Sequence, residues 1–247
     1  MAVRLSVNVN KIATLRNARG GNVPDLLRAC EVCVAAGAGG ITVHPRADER
    51  HIRRGDVYAI KRAFADRWGP ALEYNIEGDP RPDWLELVGD VKPQQATLVP
   101  VRPGEITSEA GWNPARDADV VARAVAIVQS AGVRASVFVE ANDAAVRFAK
   151  QCGADRVELY TGPFAQAYLR GADAAREAFE RYARAARLAH SLGLGVNAGH
   201  DLDLNNLALF AGLPHLDEVS IGHALISEAV FRGLERVVRD YLAVLRA

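Results

Sequence analysis

Hydrophobic and polar positions alternate over eight short runs of the chain, and stretches with helical spacing lie between them. The alternating runs predict strands over Leu5–Asn10, Gly40–His44, Ala71–Asn75, Ala96–Val99, Arg134–Glu140, Arg156–Leu159, Gly195–Ala198 and Glu218–Ile221. Helical spacing predicts Pro24–Ala36, Asp56–Ala65, Pro82–Val88, Asp119–Ala131, Asp143–Gln151, Ala174–Ser191, Leu204–Phe210 and Ser227–Leu245. Eight strand-then-helix units are the pattern of an α/β protein closed into a parallel (β/α)8 barrel, a TIM barrel. An open doubly wound sheet rarely sustains eight such units without a nucleotide fingerprint. The glycines at 37, 39 and 40 precede a strand rather than follow one, so they read as a helix C-terminal turn and not a phosphate loop. Two loops after strands are long, Lys11 to Val23 and Pro100 to Asp117, and their glycine and polar content fits mobile lids. No linker divides the 247 residues, which predicts a single domain over 1–247.

Composition narrows the function. Thirty basic residues balance thirty acidic ones, which disfavours nucleic acid or an anionic membrane as partner. Neither a membrane-length apolar run nor a signal pattern is apparent, so a cytoplasmic location is expected. Cys30 and Cys33 form a lone C-x-x-C in an apolar helix and, with Cys152, read as inert buried thiols.

The pleat then collects chemistry. In this fold reactive groups come from the C-terminal ends of the strands. Asn8 and Asn10 share a face of the first strand, Thr42 and His44 of the second, and Glu73 and Asn75 of the third. Glu158 and Asn197 stand near the ends of the sixth and seventh, and His200 and His223 follow the seventh and eighth. His44, His51, His200 and His223 thus converge on one face, where imidazoles suit proton transfer. Glu73 and Glu158, carboxylates inside strand patterns, read either as structural ion pairs or as acid/base groups with pKa values raised by desolvation.

Phosphate accounts for the rest. Ala198-Gly199-His200 and Ile221-Gly222-His223 place glycine amides where barrels bind anions. Arg46 and His51 could hold a second anion, with Arg19 before Gly20-Gly21 adding charge. Two anion sites in one cup imply a bisphosphate or two phosphorylated substrates. A Schiff-base lysine is unsupported, because Lys11, Lys61, Lys92 and Lys150 are the only lysines and none lies on a predicted strand. Any imine amine therefore belongs to a substrate, and no compact metal-ligand cluster appears.

Val7–Gly20, Gly40–His44 with Arg46 and Arg50-His51-Ile52, Leu72-Glu73, Leu98–Pro100, Val196–His200 and Ile221–Ala224 resemble the pyridoxine 5′-phosphate synthases of the deoxyxylulose-dependent vitamin B6 pathway. The resemblance implies a (β/α)8 barrel with extra helices, assembled as a homo-octamer. It implies condensation of 1-deoxy-D-xylulose 5-phosphate with 3-amino-2-oxopropyl phosphate, giving pyridoxine 5′-phosphate, phosphate and water, with no cofactor or metal. By motif, His44 and Glu73 are acid/base groups, His200 a proton donor and Glu158 an assistant in ring closure. Asn8, Arg19, Gly222 and His223 would bind the amino-ketone phosphate, and Gly199 and Asp201 also count among the substrate-binding positions. Arg46, His51 and Thr107 would bind the deoxyxylulose phosphate, with Asn10 and Lys11 beside them. Familiar members carry Asp-His in place of Asn10-Lys11 and Gly in place of Asp201. A carboxylate at 201, near a phosphate, is expected to turn away or cap the next helix. The competing expectations are a phosphosugar isomerase or epimerase, needing one anion site, and a non-catalytic phosphometabolite-binding protein.

Overall fold

The computed structural model describes residues 3–246 apart from 103, 106, 107 and 109. Eight strands form the inner layer: β1 Arg4–Asn8, β2 Gly40–Val43, β3 Glu73–Gly78, β4 Gln95–Leu98, β5 Arg134–Val139, β6 Arg156–Tyr160, β7 Gly195–Gly199 and β8 Leu216–Ile221. Each pairs in parallel with its sequence neighbour, and β1 pairs with β8, so the sheet closes. Around it run α1 Asn10–Asn17, α2 Leu26–Ala35, α3 Arg54–Ala63, α4 Pro82–Val91, α5 Pro114–Ser130, α6 Asp143–Gln151, α7 Gly162–Arg170, α8 Ala172–Ser191, α9 Leu207–Phe210, α10 His223–Arg232 and α11 Leu234–Arg246. None of these helices is long and apolar enough to cross a membrane.

Alternation decides which side chains build the core. Val7, Ile41, Ile76, Val137, Leu159 and Val219 are wholly buried in the layer between strands and helices. The opposite faces point into the barrel and are polar: Ser6, Thr42, Asn75, Gln95, Thr97, Ser136 and Asn197 are all buried. Branched aliphatics usually fill this space. Here hydrogen bonds do so instead, from Ser6 Oγ to Thr42 Oγ1 at 2.7 Å and from Thr97 Oγ1 to Asn75 Oδ1 at 3.0 Å. The end where the strands begin is closed by charge. Arg4 pairs with Glu73 at 3.0 Å and Glu218 at 2.9 Å, and Arg134 pairs with Glu73 at 2.5 Å.

Several elements differ from the sequence reading. The first strand stops at Asn8, and the expected lid from Lys11 begins as helix α1, anchored where Arg16 clasps Asp56 at 2.7 and 2.8 Å. The third strand starts at Glu73 and runs on to Gly78 rather than ending at Asn75. Helix α7 fills a stretch with no predicted element, and α5 starts at Pro114, shortening the second loop. The final helix is two, divided at Gly233, whose φ of 83° ends α10 before α11 starts.

Candidate active site

Chain direction sets the strand ends around one mouth, and short hydrogen bonds fix the first three. Asn8, ending β1, accepts the Asn10 amide on Oδ1 at 3.1 Å and donates Nδ2 to Glu77 Oε2 at 3.3 Å. Asn10, opening α1, accepts the His44 amide at 2.9 Å, so the start of a helix pins the end of β2. His44 Nδ1 lies 3.9 Å from Glu77 Oε2, which comes from the C-terminal part of β3. These groups line a cavity of about 490 Å³ together with Glu158 and His200. Gly199 makes room for Glu158: a Cβ there would stand 2.8 Å from Glu158 Oε1 and 2.7 Å from the Ser220 carbonyl. Gly222 does the same for Asn8, whose Cβ would be 3.0 Å away.

Burial sets the protonation of this cluster. It lowers the His44 pKa well below the imidazole range, and His51 and Arg46 push the same way, leaving a neutral base. His44 Nε2 is buried and has no hydrogen-bond partner among the described residues. Glu77 is pushed up to about 8 by burial, against a hydrogen bond from Ser220, with Glu218 adding repulsion. Burial, then the neighbouring Glu77, raises Glu158 well above the carboxylate range. Two such carboxyls titrate jointly, so the site holds a proton to give beside a base to receive one.

The basic rim is of a different kind. Lys11, Arg46, Arg50 and His51 line one side. His51 Nδ1 accepts the Ile52 amide at 2.9 Å, so the neutral ring carries its proton on Nε2. Burial, then Arg46, holds His51 down to about 4, so near neutral pH the ring is an uncharged N–H donor beside the charge of the arginines. Arg16 and Asn17 reach back from α1 to the His51 carbonyl at 3.1 and 2.8 Å and fix this loop. On the other side of β1, Gly222 and His223 open α10, whose first turn has no side-chain cap.

Several predicted residues stand elsewhere. Glu73 opens β3 at the closed end of the barrel, ion-paired with Arg4 and Arg134, and does not line the cavity. Glu77, four residues on with the same parity, occupies the place expected for it. The signal was present in the alternation of Asn75-Ile76-Glu77 up to Gly78, which marks the true strand end. Arg19 is exposed beyond α1 and is absent from the cavity wall. Thr107 lies outside the described residues. The amides after β7 are already engaged, His200 N with the Ser220 carbonyl at 3.4 Å and Asp201 N with Thr161 Oγ1 at 3.2 Å. Of the two turns expected to form one anion cradle, the Gly222-His223 turn therefore keeps helix-terminal amides at the mouth, and the Gly199-His200 turn does not. Asp201 neither turns away nor caps the next helix. Its Oδ2 lies 3.0 Å from His200 Nδ1, and Asp203 Oδ1 accepts the Asn205 and Asn206 amides in the turn that leads into α9.

The chain matches the family described as “Pyridoxal phosphate biosynthesis protein PdxJ” over residues 5–247. It belongs to that family. Relatives named pyridoxine 5′-phosphate synthase agree over nearly full length. That of Porphyromonas gingivalis is 53% identical over 96% of this chain and 97% of its own. That of Bacteroides thetaiotaomicron is 50% identical over 98% of this chain and 99% of its own. Among solved structures, phosphoribosyl anthranilate isomerase from Thermus thermophilus superposes with a TM-score of 0.61 at 15% identity, covering 99% of this chain and 98% of that one. Tryptophan synthase from M. tuberculosis gives 0.65 at 14% identity, covering 100% and 93%. At these identities the structural likeness speaks for the barrel alone, and the PdxJ family assignment rests on sequence.

Proposed function

We propose that this member of the family is a pyridoxine 5′-phosphate synthase, joining 1-deoxy-D-xylulose 5-phosphate to 3-amino-2-oxopropyl phosphate with loss of phosphate and water. The observation that carries the reading is a buried cluster of titratable groups, His44, Glu77 and Glu158, in one cavity with a basic rim and with the amides that open α10. Arg46 and His51, with Asn10 and Lys11 beside them, bind the deoxyxylulose phosphate. Gly222 and His223, with Asn8, bind the amino-ketone phosphate. The substrate amine attacks the ketone, so no enzyme lysine is needed for the imine.

His44 accepts protons as the amine attacks and as carbon acids are deprotonated. Glu77, in Glu73's expected role, stands 3.9 Å from it and exchanges protons with it once the two close to hydrogen-bond contact. Glu158 and His200 protonate departing oxygens on the far side. Holding two phosphorylated molecules by opposite ends brings the amine and ketone together as one unit. The test mixes purified protein with both substrates and follows pyridoxine phosphate absorbance and phosphate release. Product from the pair and none from either alone is expected; no product with both removes the proposal.

We further propose assembly as a homo-octamer. Val230 and Phe231, 71% and 87% exposed on α10, support an apolar contact between copies. Light scattering should give eight times 26.6 kDa.

A further inference from the structure

Asp201 has no part in the chemistry above, yet its carboxylate is held against a group that does. The Asp201 amide donates to Thr161 Oγ1 at 3.2 Å, and that hydroxyl donates to the Gly199 carbonyl at 2.7 Å. The Asp201 carbonyl accepts Asn206 Nδ2 at 3.1 Å, so the backbone is fixed on both sides of its Cα. His200 adopts a φ of 104°, a conformation that non-glycine residues rarely take and that surrounding structure must impose. The ring is flanked by Tyr160 at 5.8 Å and Phe138 at 6.5 Å. Backbone strain and ring packing thus converge on one result, Nδ1 facing the carboxylate at 3.0 Å.

We propose that Asp201 is a positioning residue, forming with His200 a dyad in which the carboxylate holds the Nδ1 proton and makes Nε2 the nitrogen that delivers a proton to a departing oxygen. The inference rests on the synthase reading above. In the step it serves, the carbinolamine C–O bond breaks with its electron pair on oxygen. The Nε2 proton of the imidazolium joins that oxygen to leave as water. The nitrogen lone pair forms the C=N bond, and the ring returns to neutral with Nδ1–H still held by Asp201. An adjacent carboxylate stabilises the imidazolium this step consumes, as in other His–carboxylate pairs. Other ionisable groups bearing on the ring are Glu158 from β6 and His44 after β2.

The experiment is nitrogen-15 NMR of histidine-labelled, full-length protein, with the His200 signal assigned by its loss in H200Q. The neutral ring is expected as the Nδ1–H tautomer in wild type and as the commoner Nε2–H tautomer in D201A. Turnover should fall on the order of 10-fold in D201A, less than for a fully buried pair because this one is partly exposed. KM for both substrates should stay within about twofold. D201N retains an acceptor, so it should keep the tautomer and still lose turnover. The same tautomer in wild type and D201A, or an unchanged kcat, overturns the dyad. A wild-type protein without synthase activity overturns the function instead, and the tautomer comparison still decides the dyad.

Discussion

Glu73 and Glu77 share a strand, a parity and a functional group, and their neighbours give them opposite work. Glu73 sits between the guanidiniums of Arg4 and Arg134, which hold it at the end of the barrel away from the cavity. Glu77 faces His44 and Asn8, without a guanidinium in hydrogen-bond reach, and keeps its proton to about 8. Glu77→Gln should therefore cut kcat by roughly 10²–10⁴ with the melting temperature little changed. Glu73→Gln should leave kcat near wild type but lower stability by roughly 1–3 kcal/mol, less than for a fully buried pair because both arginines are about a third exposed. Steady-state kinetics and denaturant titration on both variants separate the two roles. His51 gives a second residue-scale test. Its folded value of about 4 lies below the ordinary 6.5, so between those values the unfolded chain binds a proton that the folded chain refuses. Stability should rise with pH across that window and be lost on acidification, by up to roughly 3 kcal/mol at pH 4. Glu77, raised from 4.5 to about 8, acts with the opposite sign as pH rises through its range. Melting curves from pH 4 to 7 should show a shallower acid limb for His51→Gln than for wild type.

At the level of elements, alternation announced the strands but left their ends open. One face of β3 reads Glu73, Asn75, Glu77, so a strand ended at Asn75 offers Glu73, which does not line the cavity, and leaves out Glu77, which does, without breaking the pattern. Continuing the alternation to Gly78 brings Glu77 in, and pairing fixes the level: Gly40 stands opposite Glu73, which puts that residue beside the start of β2. The lid expected after β1 failed for a related reason. Lys11–Asn17 carries weak helical amphipathicity, and what holds α1 is the long-range grip of Arg16 on Asp56, invisible to local spacing. His44 and the Gly222-His223 turn were legible because each sits at a strand end that punctuation marks, and Glu158 because it is a carboxylate inside an apolar strand pattern. The contact of β7 with β8 gives the element-scale prediction. Gly199→Ala would drive a methyl into the Ser220 carbonyl and Glu158 Oε1, costing roughly 1–3 kcal/mol and displacing Glu158. Turnover should fall with it, while a Gly233→Ala change, remote from the mouth, strains a helix junction and lowers stability alone.

The molecule as a whole places apolar bulk outside the sheet and polar groups within it. The outer layer hides the thiols: burial raises Cys33 to about 12, and burial with Cys33 beside it raises Cys30. Neither forms thiolate near neutral pH, so iodoacetamide should label neither until denaturant opens the fold, as mass spectrometry would read. Fast labelling of the native protein would contradict the packing. Eightfold alternation made this architecture readable from the sequence. The polar lumen was read as inward-facing parity, but the arginine–carboxylate plug required knowing which strand starts lie side by side.

That plug has a consequence for how the family could diversify. A one-residue slip of β3 would turn Glu73 toward the helices and leave Arg4 and Arg134 without their shared counter-ion. The charges work as a key that admits one alignment of the staves, cut at the end of the barrel away from the cavity. Loops at the mouth are then free to be lengthened, exchanged or retuned for another substrate without loosening the hoop.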